Sequence, residues 1–153
     1  MRALEPWVER PLATFLTESE ARLTLLMTSS GQVVAQHGFT RAFDVMSAAA
    51  LGAGIISSTE ELARVLGVSR FQAMSHQGMD QGMFLSGFDT PVGRWIGLVV
   101  FGRDTTFGVV RLFFDRMIAE LVAAAPADEP RGAVLAQDFE HELHSSLRSL
   151  FGR

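Results

Sequence analysis

The chain reads as an α+β domain of three layers, α/β/α, built around a five-stranded antiparallel sheet. Three observations predict this. Short apolar runs are separated by brief Gly-bearing turns, which join neighbouring strands antiparallel. Longer segments repeat their apolar residues at helical spacing. Their order, α-ββ-α-βββ-α with a tethered segment behind it, sets the middle helix on one face of the sheet and the terminal helices on the other. At 153 residues the chain is one ordinary domain, able to bury roughly 70% of the surface its unfolded form exposes.

The first helix is expected over Leu4–Glu20, with Pro6 or Pro11 in its first turn and Trp7, Leu12, Phe15 and Leu16 as its apolar face. Arg22–Thr28 and Gln32–Gly38 flank Ser29-Ser30-Gly31 and form a hairpin. From Asp44 to Leu66 the period becomes helical, with Val45, Ala48, Ala49, Gly52, Ile55, Ile56, Thr59, Leu62, Ala63 and Leu66 as the core stripe. Asp44 is a candidate N-cap and Gly67 a stop. Strands follow at Arg70–Gln77, Met83–Phe88 and Arg94–Phe101. The last contains Trp95–Phe101, apolar throughout and therefore central and covered on both faces. Thr105 or Thr106 caps a third helix whose stripe is Phe107, Val110, Phe114, Met117, Ile118 and Leu121. The domain is expected to span residues 4–122, with a linker at 123–132 and an amphipathic helix at 133–153.

Composition excludes much. The chain has no Cys, and all 13 basic residues are Arg. That removes disulfides, thiolate nucleophiles and Cys-bound zinc, along with every lysine-dependent nucleotide or Schiff-base site. Asn and Tyr are missing too, which with the absent Lys marks a GC-rich, bacterial codon bias. The net charge of −4 and the scattered arginines offer no basic face for nucleic acid. The acidic start, with Glu5, Glu9, Glu18 and Glu20, does not suit a signal peptide. The uncharged run Val45–Ser58 is shorter than the roughly 18–20 residues a bilayer requires. A cytoplasmic protein without membrane insertion is expected.

The middle helix has too many apolar faces. Opposite its core stripe stand Met46, Ala50, Ala53, Gly54 and Ser57, and charge begins only at Glu60, Glu61 and Arg64. A helix apolar all round is normally buried all round. One reading is a monomer that tolerates exposed Ala and Gly. The other, favoured by two glycines that each cost up to about 1 kcal/mol in a helix interior, is a face kept small for another protein.

The order and spacing resemble the roadblock (dynein light-chain) family, most closely its bacterial MglB-like branch of small-GTPase regulators. The residues that carry this are Ser30-Gly31-Gln32-Val33-Val34, Leu62–Gly67, Arg70-Phe71 with His76-Gln77-Gly78, and Leu98–Phe101 with Thr105–Leu112. The resemblance implies a roadblock fold, related to longin and profilin folds. It further implies a homodimer in which the third strands pair across a two-fold axis and the middle helices lie side by side. The dimer seam would then include Met46, Arg70, Phe71, Ala73 and Ser75. A small Ras-like GTPase would seat on Ala50, Ala53, Gly54, Ser57, Glu61 and Arg64. Glu61, Ile55 and Gly102 depart from residues usual in the family, which bears on the partner rather than on the fold.

No convergent catalytic set is present. His141-Glu142-Leu143-His144 has i,i+3 histidines, not the i,i+4 spacing of a zinc helix, and reads as a solvated face. His76 in a strand before a glycine reads as structural. No active site, metal or cofactor is expected. With 13 arginines an arginine finger has many candidates, Arg64 foremost. The resemblance implies instead an allosteric activator that holds the GTPase in its hydrolysing form. The tail stripe Leu135, Phe139, Leu143, Leu147, Leu150 and Phe151 either docks on the GTPase or dimer, or packs on its own domain. A scaffold that links a polarity or motor complex without altering hydrolysis is the alternative function.

Overall fold

The computed structural model describes residues 2–3, 5–39, 42–71 and 73–126, and the chain folds there into three helices and one six-stranded antiparallel sheet. In chain order these are β1 (Arg2–Ala3), α1 (Pro6–Ser19), β2 (Leu23–Thr28), β3 (Val33–His37), α2 (Ala42–Leu66), β4 (Ala73–Gln77), β5 (Gly82–Thr90), β6 (Gly93–Phe101) and α3 (Phe107–Ala124). The strands lie in the order β1-β3-β2-β6-β5-β4. The five expected strands are present. The two-residue β1, paired with β3 at the far edge, was not legible because so short a strand has no period.

Alternation along the central strands divides the core in two. Leu26, Phe84, Phe88, Trp95 and Val99 face α1 and α3, where they meet Leu12, Phe15 and Met117. Phe114 stands edge-on to Phe15, Phe84 and Phe88 at 5.9, 4.9 and 5.7 Å. On the other face Leu25, Met27, Leu85, Ile96 and Leu98 meet Val45, Ala49 and Ile56 of α2. Trp95 through Val99 are all buried, as the unbroken apolar run requires. Gly97 of this run is a close-approach position: a Cβ there would lie 2.5 Å from the Phe114 ring.

Local chemistry sets the ends. Pro6 takes the first turn of α1, and Pro11 falls inside the helix. Thr106 caps α3 by accepting from the Val109 N–H at 3.3 Å. α2 ends in a Schellman arrangement, with Gly67 at φ 69, its N–H on the Arg64 carbonyl and the Val68 N–H on that of Ala63. Three expectations need correction. Asp44 does not cap α2, which begins at Ala42; the carboxylate sits in the first turn instead. β4 starts at Ala73, so Arg70 and Phe71 precede the strand. Leu62 and Leu66, 53% and 60% exposed, are not core. At 100° per residue they fall roughly 60–120° from the line through Val45, Ile56 and Ala63, on the flank that turns away from the sheet.

Candidate docking face on the middle helix

α2 covers the sheet with one arc and leaves the opposite arc open. Met46, Leu51 and Val65 are 69%, 68% and 69% exposed there. Between them Ala50, Gly54, Ser57 and Glu61 form a single exposed line. Gly54 marks its centre, since a Cβ at this position would meet nothing within 4 Å. The small residues let another backbone come close with little rotamer entropy to lose, and the exposed leucine, methionine and valine beside them supply apolar area.

Ala53 does not belong to this line. It is buried in the α2-facing core, with its Cβ 3.6 Å from where a Gly31 side chain would begin. It stands about 100° from Gly54 and turns inward, so its expected place on the docking face is corrected. Leu51 and Val65 were missed, although the same 100° spacing applied to every apolar residue of the helix finds them.

At the C-terminal end the charges are ordered. Arg64 donates from Nε to a Glu61 oxygen at 3.1 Å and from Nη2 to the other oxygen, a two-point pair one turn apart. This bond holds the Glu61 carboxyl below its usual range and raises Arg64. The adjacent Glu60 turns toward the sheet. Its Oε1 accepts from Arg94 Nη2 at 2.9 Å and Nε at 3.2 Å, while Arg94 Nη1 reaches Asp89 at 3.1 Å. Gly87 leaves room for that guanidinium, 2.8 Å from where a Cβ would stand. Arg70 approaches the same Glu60 oxygen at 3.9 Å.

Ser57, Glu61 and Arg64 therefore share one groove with Arg70. Arg70, Phe71 and Ala73 line a second depression with Arg94. The structure thus joins the C-terminal part of the docking set to the start of the expected seam. Phe71 is 46% exposed, Ser75 is exposed and Ala73 is half-buried. Among the described residues β4 is the last strand of the sheet, and one side of its backbone has no ladder there. Met46 stands apart, about 27 Å along α2 from Arg64 by helical rise. His76 is exposed on β4. Among the described residues no three His, Asp or Glu side chains are grouped to hold a metal. The tail stripe from Leu135 to Phe151, with His141 and His144, lies outside the described residues.

No family model matches the sequence, and no curated protein does. Solved structures do match. Myxococcus xanthus MglB superposes at a TM-score of 0.69 with 23% identity, covering 78% of this chain and 95% of that one. The gliding protein MglB of Thermus thermophilus gives 0.66 with 28% identity over 78% of this chain and 88% of that one. A roadblock/LC7 domain from Streptomyces avermitilis gives 0.58 with 18% identity over 80% and 93%. The sheet, its flanking helices and these likenesses define a protein of the roadblock/LC7 fold. Within that fold the chain is MglB-like, as the order and spacing of its sequence elements implied.

Proposed function

We propose that this chain is a homodimeric regulator of a small Ras-like GTPase, activating hydrolysis allosterically and supplying no active site of its own. The observation that carries the reading is the open arc of α2, apolar and small-residued, running at its charged end into the groove shared with Arg70 beside the unpaired edge of β4. Two copies paired through β4 would bring two such arcs side by side and offer one GTPase a continuous platform. Catalysis would arise from differential affinity: a platform that fits the hydrolysis-competent conformer better than the resting one shifts the population toward it.

The test is multiple-turnover GTP hydrolysis by a small Ras-like GTPase encoded in the same genome, with and without this protein, alongside the mass of the GTP-bound complex. Stimulated hydrolysis and two copies per GTPase are expected. Binding without any stimulation would leave the scaffold reading.

A further inference from the structure

Both ends of β4 carry apolar side chains that the rest of the described chain leaves in solvent. At the C-terminal end the hairpin to β5 closes through Gly78–Gln81, with the Gly78 N–H on the Gln81 carbonyl at 2.7 Å. Glycine and aspartate suit such a turn, whereas methionine has no role in its geometry. The Met79 side chain is 96% exposed, more than any other large apolar side chain among the described residues. At the N-terminal end Phe71 precedes the strand, 46% exposed in the depression it lines with Ala73, Gly87 and Arg94. Beside Met79 stands Asp80, and beside Phe71 stands Arg70, opposite in charge and each more than half exposed. One apolar side chain in water is ordinary; a pair at the two ends of an edge strand, each with a charge beside it, is a pattern.

We propose that Met79 of each copy docks against Phe71 of the other, with Asp80 beside the other's Arg70, so that the hairpin tips clasp the dimer at both ends of its seam. The clasp rests on the proposed homodimer paired through β4. Identical strands that pair antiparallel about a two-fold axis place that axis at a residue facing its own copy. Only an axis at Ser75 pairs all five residues of β4, setting Ala73 against the partner's Gln77 and Met74 against the partner's His76. Phe71 then stands as far before the axis as Met79 stands after it, and Arg70 as far before as Asp80 after. Because Gly78–Gln81 is a closed turn, the tip meets the other copy by side chains and not by a longer ladder.

The chemistry agrees with the placement. A flexible thioether adapts to an aromatic ring, and the contact takes apolar area of both residues out of water. The Arg70–Asp80 pair is exposed and adds little energy, but it disfavours registers that bring like charges together. Arg70 also borders the groove of Ser57, Glu61 and Arg64. The partner's tip would therefore close one end of the groove proposed for the GTPase, which a single copy leaves open.

The absence of cysteine makes the test direct, and it needs no GTPase. β4 alone spans roughly 13 Å, so Phe71 and Met79 of one chain are out of each other's reach, and two copies of either residue stand about 26 Å apart across the axis. With a short bismaleimide, the full chain carrying Phe71→Cys and Met79→Cys should form covalent dimers at least fivefold faster than either single variant. Ser75→Cys should crosslink to its own copy and reports the seam alone. Met79→Ser, a change at an exposed turn position, should raise the dimer dissociation constant at least fivefold in sedimentation equilibrium, with an unchanged circular dichroism spectrum. If Ser75→Cys links while the double variant does no better than the single ones, the clasp is overturned and the seam stands. An unchanged dissociation constant in Met79→Ser overturns the clasp equally. No link at Ser75→Cys, or a wild-type chain that sediments as a monomer, overturns seam and clasp together.

Discussion

Arg64 clasps Glu61 across one turn of α2, Nε to carboxylate at 3.1 Å, with both side chains more than half exposed. An arginine finger must extend into another protein's phosphate site; so exposed a pair opens at little cost, and it is the proposed allosteric mode that sets the expectation for this guanidinium. Arg64→Ala is therefore expected to retain most of the stimulated GTP hydrolysis. A fall on the order of 10³-fold with binding intact would assign Arg64 the finger role.

The same pair gives a pH dependence with a definite sign. Glu61 titrates below its ordinary value of 4.5 because Arg64 bonds its charged form. The contribution is complete above the unfolded-state value and is lost as the pH falls through the lowered folded-state value. Wild type and Glu61→Gln should differ in thermal midpoint at pH 7, slightly since the pair is exposed, and converge in acid below that value. Melting curves across this range check it.

Gly54 separates docking from folding. No atom lies within 4 Å of the place its Cβ would occupy, so a longer side chain costs the fold nothing. Gly54→Gln should gain up to about 1 kcal/mol of stability from helix propensity and lose affinity for the partner at least tenfold. Urea unfolding and a binding titration report the two effects independently.

Gly97 is the opposite case. A methyl group there would stand 2.5 Å from the fully buried Phe114 ring, which is held by three other aromatic rings. Gly97→Ala should destabilise the domain by about 1–3 kcal/mol, measured by urea denaturation. Arg94→Ala should cost about as much, roughly 1.5–3 kcal/mol, by freeing Glu60 and Asp89 from their half-buried partner.

What the sequence made legible follows from period and composition. The unbroken Trp95–Phe101 run and the Gly67 stop each carry their cause locally and stand as read, and of the two threonines offered as the α3 cap the structure takes Thr106. The inner and outer arcs of α2 were harder. Ala and Gly give a weak hydrophobic signal, so Ala53 and Gly54, adjacent in sequence, were assigned to one face although they sit on two. Leu62 and Leu66 drew the core stripe toward solvent because leucine at helical spacing looks the same on either flank. The Glu60–Arg94–Asp89 network joins residues 34 apart in sequence, and no local pattern announces it. The second apolar face of α2 was legible all the same, because an apolar helix that lacks a polar side is visible without knowing which way it turns, and the structure leaves Met46, Leu51 and Val65 of that helix exposed.

The central claim is that the open arc of α2 receives and activates a small GTPase. Its most direct measurement is the multiple-turnover rate of GTP hydrolysis by that GTPase, with the wild-type chain and with Gly54→Gln compared at equal concentration. The account predicts stimulation by the wild type, near-basal rates with the equally folded variant, and recovery as the variant approaches saturation. Equal stimulation by both at sub-saturating concentration would contradict it, since the partner would then not rest on this face.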